Sequence, residues 1–212
     1  MAAMPTPSWS VVVPVKRPEI AKTRLADVAG ARRPELARAF AADTVAAALA
    51  CPDVADVVVV TDDAQTAAEA TAAGALVVAD EPAAGLNAAL RHGAEVVHRR
   101  RPGGYVAALS ADLPALRPDE LATTLRVALG HPVSFVGDAA GTGTTLYAVT
   151  PAGTFEPRFG GRSRAAHRAE GAAELTVPDT PSVHRDVDTA VDLWDALRLG
   201  VGPRTAAVVA LL

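Results

Sequence analysis

From Trp9 to about Leu129, short valine-rich runs alternate with longer alanine-rich stretches of helical period, and this alternation restricts the fold more than any other feature of the chain. Buried parallel strands read as continuous apolar runs because helices cover both of their faces. Trp9 to Val15 (WSVVVPV), Val54 to Thr61 (VADVVVVT), Ala75 to Ala79 (ALVVA) and Tyr105 to Ser110 (YVAALS) therefore read as four strands. Pro34 to Ala50 reads as a helix with Leu36, Phe40, Val45 and Leu49 close to one apolar face. Ala64 to Ala73 is a second helix, which Gly74 can cap, and Leu86 to Arg99 is a third. Pro118 to Leu129 opens on a proline followed by acids, as a helix N-terminus prefers. The rhythm then changes. Val133 to Val136, Thr144 to Val149 and Glu174 to Val177 are short strands between Gly- and Pro-rich loops, and Thr189 to Leu199 and Pro203 to Leu212 close the chain as helices. The expectation is a single α/β domain over 1–212, three-layered and Rossmann-like. Its mostly parallel sheet has a regular first half, and the second half carries a substrate-binding insertion.

At 212 residues and 50% hydrophobic, the chain can bury one sizeable core and is short for two enzymatic domains. Aromatic residues make up 4%, so that core must be built from Val, Leu and Ala. Twenty Lys plus Arg against 24 Asp plus Glu give a net charge of -4, which argues against nucleic acid as a partner. An anionic ligand must then be held by locally placed cations. The single Cys51 excludes an intramolecular disulfide or a thiolate metal cluster, and it reads as a helix-end or core residue. No apolar run approaches the roughly 20 residues that span a bilayer, and MAAMPTPSWS lacks the features of a signal peptide. A cytoplasmic protein with no membrane partner is expected, and an oligomer is compatible with all of this.

Ligands of open parallel sheets bind beyond the carboxyl ends of the strands, so the loops there carry the search for chemistry. The first contains Lys16, Arg17, Lys22 and Arg24, four cations within nine residues, and neither of the glycine-rich phosphate motifs. Side-chain cations would have to neutralise phosphate oxygens, the bland alternative being a solvated basic loop. Asp112 follows the apolar run VAALSA, a costly place for an unpaired carboxylate and a natural one for a metal ligand. Singly, such an acid is more often a turn or cap residue. Asp186 and Asp188 alternate along an extended segment, which predicts that only one faces a site, while the other caps the helix near Thr189, points away or supports the site from behind. A pair such as Asp112 and Asp186 suits Mg²⁺, which takes one or two carboxylates plus phosphate oxygens. The turn Gly141 to Thr145 is a weak anion motif. The stretch Arg158 to Arg168 (RFGGRSRAAHR) is stronger, a Gly-rich turn leading into a basic helix, on which His167 reads as a solvated face residue.

Six ordered segments carry a resemblance: VPVK with AKTRL in Val13 to Leu25, GLNAAL in Gly85 to Leu90, SADLPAL in Ser110 to Leu116, GTGTT in Gly141 to Thr145, RFGGRSRAAHR in Arg158 to Arg168, and DVDT in Asp186 to Thr189. Together they resemble the guanylyltransferases of deazaflavin coenzyme F(420) biosynthesis, which act on phosphoenolpyruvate or 2-phospho-L-lactate. That family is similar in fold to the molybdenum-cofactor guanylyltransferases. The likeness to its actinobacterial branch implies transfer of GMP from GTP to phosphoenolpyruvate, with release of pyrophosphate. It also implies Asp112 and Asp186 as Mg²⁺ ligands, and Thr144, Gly160 and Ser163 around the acid's carboxylate. Arg162 departs from the acidic or small residue expected before Ser163.

The expected chemistry is an in-line attack by the acid's phosphate on the α-phosphorus of GTP. Lys16, Lys22 and Arg24 would lie on the triphosphate, with Lys22 counted among the catalytic groups and Gly85 and Asn87 beside the nucleotide. The attacking phosphate is already ionised, so no general base is required. Backbone amides near Thr61 and Gly85 are the expected readers of guanine. Two rival readings stand beside this one: another nucleotidyltransferase of the same fold, and a nucleotide-binding module that consumes nothing.

Overall fold

The computed structural model describes residues 8–17, 22–81 and 83–212. Residues 1–7 of the N-terminal stretch and 18–21 of the basic loop lie outside the described residues. Among the described residues seven strands form one sheet in the order β3-β2-β1-β4-β6-β5-β7. The strands β1 (Trp9–Pro14), β2 (Val54–Val60), β3 (Leu76–Val78) and β4 (Tyr105–Leu109) are the four valine-rich runs, and they lie parallel. Each stops about a residue before its expected end, although single hydrogen bonds from Val15 N to Val60 O and from Thr61 N to Val78 O carry the ladder slightly further. One strand of the second half is reversed. Strand β6 (Thr144–Val149) inserts antiparallel between β4 and β5 (Val133–Gly137), pairing Leu109 with Leu146. The expected strand from Glu174 to Val177 is shorter and earlier, β7 (Ala173–Glu174), because the chain leaves the sheet edge after Leu175 and buries Leu175 and Val177 in the core.

Alternation along the strands sorts the core into two layers. Val11, Val13, Val57, Val59, Ala107 and Leu109 pack beneath α2 (Arg33–Ala50), α3 (Ala64–Ala73) and α5 (Pro118–Ala128). Val12, Val58, Val60, Val106 and Ala108 face the other way, against α4 (Leu86–Arg100). Gly93 lets α4 come this close, since a Cβ there would fall 2.9 Å from Val60 Cγ2 and nearer still to Val12. Gly74 ends α3 at φ 99°, the left-handed cap its sequence position predicts. Cys51 is both helix-end and core, sitting at the C-terminus of α2 and buried.

A third apolar cluster sits outside the main layers and corrects the single apolar face expected of α2. Leu36 and Phe40 point away from the sheet, towards the short α1 (Ala26–Ala29), α8 (Ala190–Leu199) and α9 (Pro203–Val209). Val45 and Leu49 pack on the sheet side. The buried Asp43 of α2 accepts backbone N–H bonds from Arg204 and Thr205 at 3.1 and 2.7 Å, capping α9 from outside its own chain segment. No described helix is long and apolar enough to cross a membrane.

Candidate active site

The chain leaves the central strand β4 into Ser110-Ala111-Asp112, and this loop is pinned from below. Thr44, fully buried on α2, accepts the Leu113 N–H at 3.0 Å and donates its hydroxyl to the Phe40 carbonyl at 2.8 Å. The Asp112 carbonyl accepts the Val187 N–H at 3.0 Å, which fastens the Asp112 loop to the segment carrying Asp186 and Asp188. The sequence offers no signal for Thr44 beyond a polar residue inside an apolar helix.

Lys22 reaches the same place from the first loop. Its ammonium donates to Asp112 Oδ2 and, at 2.6 Å, to Asp188 Oδ1. Its backbone sits at φ 55°, the left-handed region in which a residue with a side chain is rarely held without a reason. Burial works against the Lys22 charge, but Asp112 and Asp188 outweigh it and raise the ammonium's proton affinity above the usual lysine range.

Asp188 therefore supports the site through Lys22, one of the roles its sequence position leaves open. It neither points away nor caps a helix: Thr189 caps α8 itself, in a reciprocal box with Asp192. The segment between α7 (Pro181–His184) and α8 is irregular rather than extended, so the alternation that would separate Asp186 from Asp188 does not apply. Asp186 is pushed up to about 7, first by burial and then by repulsion from Asp112, Asp138 and Asp188, with Lys22 opposing. Asp112 Oδ1 is buried with no hydrogen-bond partner. The site thus concentrates carboxylate oxygens, hard donors, around too little positive charge. Among the described residues no three His, Cys, Asp or Glu groups converge into an all-protein metal cage. A cation here would be held by one or two carboxylates together with oxygens of its ligands, which is how Mg²⁺ is commonly bound.

Two clefts meet at this cluster. One, of about 320 Å³, is floored by Pro14, Val15 and Leu109, walled by α2 and α4, and edged by Lys16 and Asp112. The other, of about 520 Å³, is more open and more polar, and it contains Arg24, Asp138, Thr142, Thr144, Gly160, Ser163 and Asp186. Lys22, Leu86, Ser110, Phe159 and Asp188 border both.

This geometry sorts the residues singled out from sequence. Lys16 edges the first cleft, whereas Arg24, expected beside it on the triphosphate, is exposed on the second. Gly85 lines a side cavity of about 40 Å³ with Lys16 and Asp80. Asn87 lines neither main cleft. Its carboxamide accepts from Phe159 N at 2.8 Å and donates to Phe159 O at 3.0 Å, so it acts as a strut for the Gly160 loop. The backbone amide of Thr61 is spent on Val78 and is not free to read a base. Thr144, Gly160 and Ser163 come together as expected, while Arg162 is exposed and borders neither cleft.

His167 overturns its sequence reading entirely. It is fully buried, lies 4.7 Å from Tyr147 in a stacked arrangement and meets Phe159 edge-on at 5.6 Å. Burial, with Arg158 nearby, lowers it to about 4, so the ring is neutral at physiological pH.

The chain matches the family model described as guanylyl transferase CofC like, over residues 9–208. The phosphoenolpyruvate guanylyltransferase of Streptomyces coelicolor is 62% identical over 205 residues, covering 96% of this chain and 97% of that protein. Among solved structures, a protein from Desulfovibrio desulfuricans G20 described as a nucleotide-diphospho-sugar transferase has a TM-score of 0.69 at 18% identity, covering 97% of this chain and 98% of that one. Rv0371c from Mycobacterium tuberculosis, solved in complex with manganese, has a TM-score of 0.51 at 20% identity, covering 91% and 99%. These structural likenesses speak for the fold, the Rossmann-like fold of nucleotidyltransferases.

Proposed function

The chain belongs to the CofC-like guanylyl transferases, and from that premise we propose that it joins GMP from GTP to the phosphate of phosphoenolpyruvate, giving enolpyruvyl-diphospho-guanosine and pyrophosphate for coenzyme F(420). The named activity of the Streptomyces coelicolor relative, at 62% identity over nearly both whole chains, supports this acceptor. One observation carries the reading at the site. Asp112, Asp186 and Asp188 stand where two clefts meet, one walled by apolar helices and edged by Lys16, the other polar and rich in small hydroxyl and glycine groups. A nucleotide suits the first and a small phosphorylated acid the second.

In this reading GTP lies over the end of β1 with its triphosphate towards Lys16 and Lys22. The acid sits by Thr144, Gly160 and Ser163, with Arg24 as a further cation on that side. Mg²⁺ held by Asp112 and Asp186 would offset the charge of two anions brought together and of the departing pyrophosphate. Lys22, paired with Asp112 and Asp188 in the free protein, would pass to phosphate oxygens when the triphosphate binds. No side chain needs to remove a proton, because the attacking phosphate is ionised at neutral pH. Both substrates are cytoplasmic metabolites, which supports a cytoplasmic setting.

The test crosses each nucleoside triphosphate with phosphoenolpyruvate and 2-phospho-L-lactate and identifies the products by mass spectrometry. Turnover confined to GTP and phosphoenolpyruvate is expected, and preferential turnover of 2-phospho-L-lactate would overturn the acceptor. Asp112→Asn should lower kcat by about 100-fold or more and weaken Mg²⁺ binding in calorimetry, with an unchanged circular dichroism spectrum. Near-normal turnover would sink the metal assignment.

A further inference from the structure

The buried imidazole of His167 has two partners, and one of them fixes its chemistry. Nε2 lies 2.9 Å from the backbone N of Arg158, a group that can only donate, so Nε2 must be the unprotonated acceptor. In a neutral ring the proton is then on Nδ1, and Nδ1 lies 3.0 Å from Thr144 Oγ1. A hydroxyl that accepts from an N–H must direct its own proton elsewhere. Thr144 lines the polar cleft together with Gly160 and Ser163, the place assigned above to the acid.

We infer that His167 is a positioning residue which commits the Thr144 hydroxyl to donating into the acid-side cleft. The chemistry of the ligand matches, because carboxylate and phosphate oxygens only accept hydrogen bonds. Accepting from His167 takes up one lone pair of the hydroxyl and turns its proton away from the ring, and an anion in the cleft draws that proton towards itself. The same ring holds the backbone of Arg158, and Asn87 holds that of Phe159 on both its N and O, so the approach to Gly160 is fixed from two sides. Tyr147 and Phe159 pack against the ring. Burial keeps it neutral at physiological pH, which preserves the acceptor role of Nε2.

This inference rests on the acid occupying the polar cleft, and the experiment separates the two claims. In the wild type, saturable dependence of GTP turnover on phosphoenolpyruvate establishes the ligand; without it the functional reading fails, whatever His167 does. Two variants then dissect the ring. In His167→Asn the side-chain NH₂ falls near the position of Nδ1 and can still donate to Thr144. In His167→Gln the amide oxygen falls near Nε2 and keeps the bond from Arg158, but the donor to Thr144 is lost.

The expected result is a KM for phosphoenolpyruvate raised about 10-fold or more in His167→Gln and largely rescued in His167→Asn, with the KM for GTP changed less than about 2-fold in both. Thr144→Val should raise the same KM, and adding His167→Gln to it should cost nothing further. Equal shifts in both KM values, additive effects in the double variant, or no rescue by Asn would overturn the inference in favour of a purely structural ring. Imidazole ¹⁵N shifts of the wild type should show the Nδ1–H tautomer at neutral pH; an Nε2–H tautomer would overturn it independently of kinetics.

Discussion

Two buried titratable groups pull the protein's stability in opposite directions as pH changes. His167 titrates near 4 when folded and near 6.5 when unfolded, so between those values the unfolded chain holds more protons and the fold loses stability as pH falls. Asp186 is raised from 3.8 to about 7, so across that window the folded chain holds more protons and gains stability as pH falls. These two contributions oppose each other, and a difference curve separates them. Urea denaturation should show the stability advantage of wild type over His167→Gln shrinking by about 3 kcal/mol between pH 6.5 and pH 4, and constant above pH 7. A pH-independent difference would mean that the ring is not buried neutral. Single residues are also where reading the sequence falls shortest. Asp112 was legible because it ends an apolar run. His167 was not, because its short helix is flanked by Arg164 and Arg168 and looks solvated, and the aromatic groups that bury it come from β5, β6 and the Phe159 loop. For Asp188 the sequence left several roles open, because the period of a strand was applied to a segment that is not one, and only the ion pair with Lys22 decides between them.

Helix α4 meets the sheet with no side chain at Gly93, and its distance from β1 and β2 is set there. Gly93→Ala gains helix propensity worth about 1 kcal/mol but drives a methyl into Val12 and Val60, an overpacking cost of about 1–3 kcal/mol. A lower thermal midpoint is expected, with the KM for GTP rising as well, since Leu86 and Leu90 of the same helix wall the cleft beside β1. An unchanged midpoint would show that α4 can slide outward freely. Apart from the short α1, which no pattern announces, the elements of the first half were legible to within a residue or so, because each buried strand is a run of Val or Ala and each longer helix is bounded by Pro, Gly or acids. The second half was legible as pieces but not as an arrangement. Nothing local in Thr144–Val149 says that it runs antiparallel; that follows from its short link to β5 and its pairing with β4.

At the scale of the whole molecule the two clefts are coupled through the Asp112 and Asp186 loops, so ligands should act on global stability rather than on one lobe. Saturation with GTP and Mg²⁺ at about 100 times the dissociation constant should add roughly 2.7 kcal/mol and raise the melting temperature by several degrees. Asp112→Asn should lose most of that rise, and its retention would place the nucleotide elsewhere. The fold class was readable in advance because alternation over four strands admits few topologies, whereas the joining of two clefts at one strand end depends on hydrogen bonds such as Thr44 to Leu113 and Val187 to Asp112 that no motif encodes. The reversed strand β6 has one more consequence. Because one reversed strand separates β4 from β5, most of the lining of the cleft beside β1 comes from the first half of the chain, and most of the lining of the polar cleft from the segments around β6 and α6, with Lys22, Leu86, Ser110, Phe159 and Asp188 shared. On the proposed assignment of ligands, drift at Asp138, Thr142, Thr144 and Ser163, which border the polar cleft alone, would retune the choice of acid with little effect on the nucleotide, whereas a change at the shared Phe159 would disturb both.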